Sequence, residues 1–309
     1  MEKSTAYSNK EPGKIMLIIN PKSGTMQTVK YLAEILQMYS ERNFLTTVIM
    51  TQKAGDARIF AGKYGEYYDI VACAGGDGTL NEVIDGIVKS GKECNIGYIP
   101  AGSTNDFATT AGLPKGVLDA ASVIINGNPH KLDIGNFNGR MFSYVASFGA
   151  FTSISYNVPQ NLKNIMGHTA YVLQGIKDIV NIKPIPAKVI ADEGTPNERI
   201  CEGKYIFGAV CNSTSIAGII KFDTFDIDMN DGLMEVLLVK SPVNLSEINE
   251  IAKGFLEKNL NNENIDFFSA KDVRFEFDDN VHWTLDGEYE EGVQQINIST
   301  LHRAIRLIK

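Results

Sequence analysis

Between Lys14 and about His130, short apolar runs alternate with segments whose apolar residues recur at helical spacing. "KIMLIIN" ends at Asn20-Pro21, and the stretch after it carries Val29, Leu32, Leu36 and Tyr39 three or four apart. "NFLTTVIMT" reads as a second strand and "GDARIFAGKYG" as a helix, while "YYDIVACA" is a third strand with a helix expected from Asn81. "NIGYIP" is a fourth strand, stopping at Pro100, and "GVLDAASVIING" closes the series as a helix. Strand and helix alternating at this pitch predict βα units around a largely parallel sheet, the mark of an α/β domain.

After His130 the periodicity changes. "KLDIGNFNGRMFSYVASFG" holds two β-rich runs joined at Asn138-Gly139, the residue pair that suits a type I′ hairpin. A long helical stretch is expected from about Gln160 to Asn181. Strand-like runs then dominate: "AKVIAD", "YIFGAVCN", "GLMEVLLVK", "VRFEFD", "VHWTLDG" and "QQINIST", interrupted by the helix "LSEINEIAKGFLEKNL". This half predicts a mainly antiparallel β-sandwich. The expected domains are 1–130 and 131–295, with residues from about 296 to 309 able to return to the first.

The 309 residues suffice for two cores. A formal net charge of −8 argues against nucleic acid as a partner. Four cysteines without a Cys-x-x-Cys pair, and four scattered histidines, argue against zinc fingers, redox dithiols and a disulfide scaffold. A polar N-terminus and the lack of a long apolar run predict a cytoplasmic protein whose membrane contact is peripheral and transient.

Three glycine-bearing loops follow predicted strands of the first domain: "NPKSG" (Asn20, Pro21, Lys22, Ser23, Gly24), "GGDGTLN" (Gly75, Gly76, Asp77, Gly78, Thr79, Leu80, Asn81) and "PAGSTNDFA". Loops leaving the carboxyl ends of parallel strands gather on one edge, where ligands bind. Glycine lets backbone N–H groups approach phosphate oxygens, and hydroxyls at Ser23, Thr79, Ser103 and Thr104 can donate to the same atoms. Asp77 suits such a site if Mg²⁺ or a ribose hydroxyl lies between it and the phosphates. Each loop alone also reads as ordinary turn punctuation; three at successive strand ends favour a nucleotide phosphate site. The chain has no G-x-x-x-x-G-K-[ST] and no complete G-x-G-x-x-G.

"NPKSG", "GGDGTLNEV" and "IPAGSTNDFA" together resemble the diacylglycerol kinase catalytic family, the bacterial lipid kinases related to sphingosine and ceramide kinases. The Gly-Gly-Asp-Gly-Thr loop is shared with NAD kinases, whereas Asn-Asp-Phe-Ala separates the lipid kinases from them. "DIGNFNGRMFSYVASFGAFTSIS", "GLMEVLLVK" and "LDGE" follow in the family's order, so the resemblance spans nearly the whole chain. It implies ATP and Mg²⁺ as cofactors and a lipid alcohol at a membrane surface as acceptor, diacylglycerol being the default. A homodimer stays open.

By position, the resemblance carries nucleotide contacts to Asn20–Gly24, Thr51, Gly75–Asn81 and Ser103, where the family usually has threonine. Its acidic catalytic motif falls on Leu285–Glu288. Asp286 or Glu288 would accept the proton of the attacking hydroxyl, Asp286 as base with Glu288 as essential partner, or Glu288 as the base itself. Asp-Gly between strands is equally a hairpin turn. In "FDTFDIDMNDGL" the resemblance implies a structural Mg²⁺ at Asp228, Asp231 and the backbone of Leu233, although the family's Pro-Asp-Ala is missing upstream. His168 and the apolar residues from Ile165 to Ile179 could line a lipid cleft or simply pack in a core; Trp283 is expected to pack across a sheet. Two other functions compete: a kinase of a soluble hydroxyl acceptor such as NAD, and a non-catalytic nucleotide- or lipid-binding regulator.

Overall fold

The computed structural model describes residues 11–24, 27–102, 105–149, 183–213, 215–216, 220–221, 227–257, 260 and 262–309. The expected helix from Gln160 to Asn181, with His168, lies outside them, as do Ser103 and Thr104. The chain forms two compact units, residues 1–130 with 305–309, and residues 131–304.

In the first unit the elements run β1 (Gly13–Ile19), α1 (Gln27–Lys30), α2 (Leu32–Glu41), β2 (Phe44–Met50), α3 (Asp56–Tyr64), β3 (Ile70–Gly75), α4 (Asp77–Ser90), β4 (Asn95–Pro100), α5 (Asp106–Thr110) and α6 (Val117–Asn126). The strands lie in the order β2-β1-β3-β4, all parallel. Ile15 to Ile19 are completely buried, as near-continuous apolar runs in a covered parallel strand must be. Each such side chain contributes about 1.5–3 kcal/mol by leaving water. This order puts β1, β3 and β4 side by side, so the ends of all three strands open onto one stretch of sheet edge.

Two local expectations shift. The helical face after β1 is carried by Ile35 and Tyr39, both fully buried, while Val29 is 40% exposed, because the helix breaks at Tyr31 and resets its phase. The helix after β3 begins at Asp77 rather than Asn81. Glycine's poor helix propensity masks this start in the sequence, but Gly76 is the N-cap residue and Thr79 N and Leu80 N already donate to Gly76 O, at 3.0 and 3.2 Å. "GGDGTLN" is therefore the first turn of a helix.

Close approach of α3 and α4 depends on glycine. A Cβ on Gly86 would lie 2.3 Å from Arg58 O, and one on Gly62 would lie 3.0 Å from Gly86 O. Beside them Asp85, almost wholly buried, is neutralised by Arg58 at 2.6 Å and Lys89 at 2.8 Å.

The second unit contains β5 (Pro129–Phe137), β6 (Arg140–Phe142), β7 (Val145–Gly149), β8 (Ile185–Ala191), β9 (Arg199–Cys211), β10 (Ser215–Ile216), β11 (Ile220–Lys221), β12 (Met234–Lys240), α7 (Leu245–Leu256), β13 (Ile265–Ala270), β14 (Asp272–Phe277), β15 (Trp283–Leu285), β16 (Glu288–Glu290) and β17 (Gln295–Ile308), whose last residues belong to the first unit. There Arg306 and Leu307 pair in parallel with β4. Apart from the short β10–β11 pair, strands follow β16-β15-β7-β9-β8-β14-β17, with β12 and β13 added beside β9, and the pairings are antiparallel. Asn138 and Gly139 both have positive φ, 46° and 93°, as a type I′ turn between β5 and β6 requires. Trp283 is 1% exposed, with its ring centroid 4.8 Å from Phe148 and 5.0 Å from Phe275. β15 lies within the expected run "VHWTLDG", whereas the three-residue arm β16 and the strand β13 were not expected from the sequence.

Candidate active site

In the first unit the three glycine loops meet. Asn20 shapes the first: its Oδ1 accepts from Lys22 N at 3.0 Å, and its Nδ2 donates to Thr79 Oγ1 at 3.2 Å in the helix of the second loop. Ser23 Oγ donates to Ala101 O in the third at 3.2 Å. Gly24 has φ of 54°, and a Cβ there would stand 2.1 Å from Ala101 O. A Cβ on Gly102 would stand 2.6 Å from the Cα of Gly76. The glycines are thus required by contact between backbones. Thr51 closes the neighbouring loop, its N–H donating to Ile19 O at 2.9 Å.

Asn105, in the left-handed region at φ 52°, clasps Gly102: Gly102 N donates to Asn105 Oδ1 at 2.8 Å and Asn105 Nδ2 donates to Gly102 O at 2.9 Å. Asp77 accepts from Asp106 N at 3.0 Å and Phe107 N at 3.4 Å, so its carboxylate caps α5. Tyr98 Oη donates among Gly75 O, Asp77 Oδ1 and Asn105 Oδ1 at 3.3–3.4 Å. Burial first, then the Asp77 charge, pushes the Tyr98 hydroxyl far above its ordinary value, and it stays a neutral donor. Glu82 caps α3 through Gly55 N at 2.7 Å and Ala57 N at 3.1 Å.

Not every expected contact is equally available to a ligand. Leu80 is fully buried and its N–H is taken by Gly76 O, so it serves the core. Asn81 is 5% exposed and its Oδ1 has no partner. Pro21 and Lys22 lie on the turn after β1 and Gly78 in the first turn of α4. Tyr98 was missed in the sequence, a hydroxyl two residues before the Pro-Ala-Gly loop being the available signal, and Asn105 was noted only as the first residue of Asn-Asp-Phe-Ala.

In the second unit "LDGE" is the hairpin between β15 and β16, with Asp286 and Gly287 at φ 50° and 84°. Asp286 is 4% exposed and fully engaged. Its Oδ2 accepts from Ser143 N at 2.5 Å and Ser143 Oγ at 2.8 Å, and its Oδ1 accepts from Tyr144 N at 3.0 Å and Val145 N at 2.9 Å. Burial holds the Asp286 carboxyl above the usual carboxylate range, against the pull of these hydrogen bonds. Glu288, half-exposed, is held by Arg140 Nη2 at 2.8 Å, and Arg140 Nη1 donates to Glu290. Of the two carboxylates only Glu288 has an oxygen that a substrate can reach.

The acidic loop is organised from beneath. The fully buried Asp133 carboxylate accepts from Gly232 N at 2.6 Å and Arg303 N at 2.5 Å, and His302 Nδ1 lies 3.1 Å from it. Asn212 Nδ2 donates to Asp133 O and Met229 O. Asp228 and Asp231 each spend Oδ1 on the loop's own backbone, Asn230 N at 3.2 Å and Leu233 N at 2.9 Å, which leaves Oδ2 for a ligand. Buried oxygens without partners lie nearby on Asn212 and Glu235; burial foremost, with Asp231 adding to it, pushes the Glu235 carboxyl up to about 7. This all-oxygen chemistry fits a hard divalent ion, although no group of three or more His, Cys, Asp or Glu side chains converges among the described residues.

Among the described residues, no helix is long and apolar enough to cross a membrane. The profile of the diacylglycerol kinase catalytic domain matches residues 14–137. The diacylglycerol kinase of Bacillus subtilis (strain 168) is 32% identical over 94% of this chain and 95% of its own length. That of Staphylococcus carnosus (strain TM300) is 32% identical over 88% of each. A solved diacylglycerol kinase structure from Bacillus anthracis str. Sterne matches in fold with a TM-score of 0.74 at 22% identity, covering 97% of both chains. Identity at this level along nearly the entire length, on a fold whose strand ends carry the three glycine loops, places the chain in the diacylglycerol kinase family of lipid kinases, phosphotransferases with an alcohol group as acceptor.

Proposed function

We propose that the protein transfers the γ-phosphate of ATP to the free hydroxyl of diacylglycerol, giving phosphatidic acid. One observation supports the donor half: the loops after β1, β3 and β4 touch through glycine backbone at the place where α4 begins. Such a cradle binds phosphate oxygens through the aligned peptide dipoles and undonated N–H groups. Asn20 to Gly24, Thr51, Gly75 to Thr79 and Asn81 would line it; Ser103 is assigned to it from its sequence position alone. ATP enters with Mg²⁺, which when bound neutralises charge on the β- and γ-phosphates.

For the acceptor half, Glu288 takes the proton of the lipid hydroxyl as its oxygen bonds to the γ-phosphorus; the bond from that phosphorus to the bridging oxygen breaks and ADP leaves with the electron pair. Asp286 holds the hairpin that presents Glu288, because both of its oxygens are already saturated by Ser143, Tyr144 and Val145. Asp228, Asp231 and the backbone of Leu233 would hold a second Mg²⁺ that braces their loop and takes no part in transfer. Contact with the membrane that supplies the lipid is peripheral.

The test is transfer of label from γ-labelled ATP to a panel of diacylglycerol, phosphatidylglycerol, a sphingoid base, a polyprenol and NAD. Labelled phosphatidic acid as the dominant product supports the reading. Labelling of NAD alone, or of no acceptor despite ATP binding, overturns it.

A further inference from the structure

Arg140 falls within the stretch "DIGNFNGRMFSYVASFG" but has no role assigned above, yet it is the one cation paired to the acidic hairpin among the described residues. It opens β6 directly after the Asn138-Gly139 turn, paired in register with Phe137. Phe137 is in turn packed edge-on against Trp283 of β15, at 5.1 Å between ring centroids. Three residues on, the same segment supplies the Ser143, Tyr144 and Val145 N–H groups that saturate Asp286. The stretch from Arg140 to Val145 therefore grips the hairpin twice, at its turn through Asp286 and on its outer arm through Glu288 and Glu290.

We propose that Arg140 is a positioning residue for phosphoryl transfer: its guanidinium bridges Glu288 and Glu290 and so fixes the carboxylate of Glu288 toward the acceptor hydroxyl. The chemistry favours this pairing. Residues two apart on a strand project to the same side, so Glu288 and Glu290 would repel each other without a cation between them. A guanidinium is planar and always charged, and its separate nitrogens can reach two carboxylates at once; a lysine ammonium cannot hold that geometry. Glu288 is 52% exposed, and a side chain that open keeps its rotamer freedom unless something holds it. Arg140 is itself only 27% exposed, on a strand anchored to the aromatic core, so it can serve as the fixed partner.

This inference rests on Glu288 being the proton acceptor, and the experiment separates the two ideas. Arg140→Ala, Arg140→Lys, Glu288→Gln and the double variant Arg140→Ala/Glu288→Gln are assayed on the full chain with ATP and a dispersed short-chain diacylglycerol. Thermal melting is followed in parallel. We expect Arg140→Ala to lower kcat by about 30- to 100-fold, the scale on which misorientation of a reacting group acts, with KM for ATP within about twofold. Arg140→Lys recovers part of the loss, and added methylguanidinium restores kcat in Arg140→Ala but not in Glu288→Gln. The double variant is no slower than Glu288→Gln alone. If Arg140→Ala keeps wild-type kcat while Glu288→Gln does not, the positioning role is wrong. A rise in KM for ATP at constant kcat, or a kcat above wild type, also overturns it, pointing to a phosphate contact or a restraining latch. A Glu288→Gln enzyme with full kcat removes the base assignment instead, and the role argued from it.

Discussion

Asp286 accepts both the backbone N–H and the hydroxyl of Ser143, at 2.5 and 2.8 Å, through a single oxygen. The other oxygen is taken by the next two backbone N–H groups, so this carboxylate ties the β15–β16 turn to the start of β7. Its replacement by asparagine puts an N–H donor against N–H donors. Asp286→Asn should cost about 3–5 kcal/mol of stability, the scale for breaking a buried charged network, and denaturant unfolding measures it.

The same residue sets a dependence on pH. Burial raises the folded-state pKa of Asp286 above its unfolded value, so the folded chain binds the proton more tightly. The associated stability is fully present below the unfolded pKa and is lost as pH rises through the folded one. The stability gap between wild type and Asp286→Asn should therefore widen as pH is lowered from neutrality toward the ordinary carboxylate range. A gap that narrows on acidification would show that the hydrogen bonds outweigh burial.

The Asn105 clasp holds Gly102 in a loop of the proposed ATP site. Asn105→Ala removes two hydrogen bonds, worth about 1–2 kcal/mol together, and frees the Gly102 peptide. We expect KM for ATP to rise about tenfold, a 1.4 kcal/mol effect, with kcat less affected. Initial-rate kinetics with varied ATP checks this.

Glycine positions divide into two kinds with different outcomes. Gly24→Ala forces a left-handed residue to carry a Cβ 2.1 Å from Ala101 O, so ATP binding should fail. Gly86→Ala wedges α3 from α4 by a clash with Arg58 O, away from the cradle. It should lower stability by about 1–3 kcal/mol, as overpacking does, while activity per folded molecule persists. Calorimetric ATP titration and melting, run on both variants, separate the two kinds.

How far the sequence revealed all this depended on how local the signal was. Strands β1, β3 and β4 of the first unit were legible because they are buried and read as near-continuous apolar runs, whereas β2, half-exposed, showed through its β-branched residues between turn signals. The Asn138-Gly139 turn was legible because only residues tolerant of positive φ can make it. The start of α4 at Asp77 was hidden, since two glycines there serve backbone contact and resemble a loop. The motif "LDGE" named two carboxylates but could not rank them, because Ser143 and Arg140 approach from about 145 residues away in sequence. Tyr98 looks like an ordinary strand residue, and Asn105 and Arg140, though they fall in stretches the sequence singled out, show their partners only once the fold brings these together.

The central claim is the division of labour within the acidic hairpin, and single-turnover phosphoryl transfer tests it most directly. Enzyme preloaded with γ-labelled ATP is mixed with diacylglycerol, and the first-turnover rate is compared for wild type, Glu288→Gln and Asp286→Asn, each corrected for its folded fraction. General-base assistance contributes about 10²–10⁴-fold, so Glu288→Gln should fall by that order while ATP stays bound. Asp286→Asn should lose folded protein far more than rate per folded molecule. A Glu288→Gln enzyme that transfers at the wild-type rate, with Asp286→Asn folded yet inert, would contradict the account.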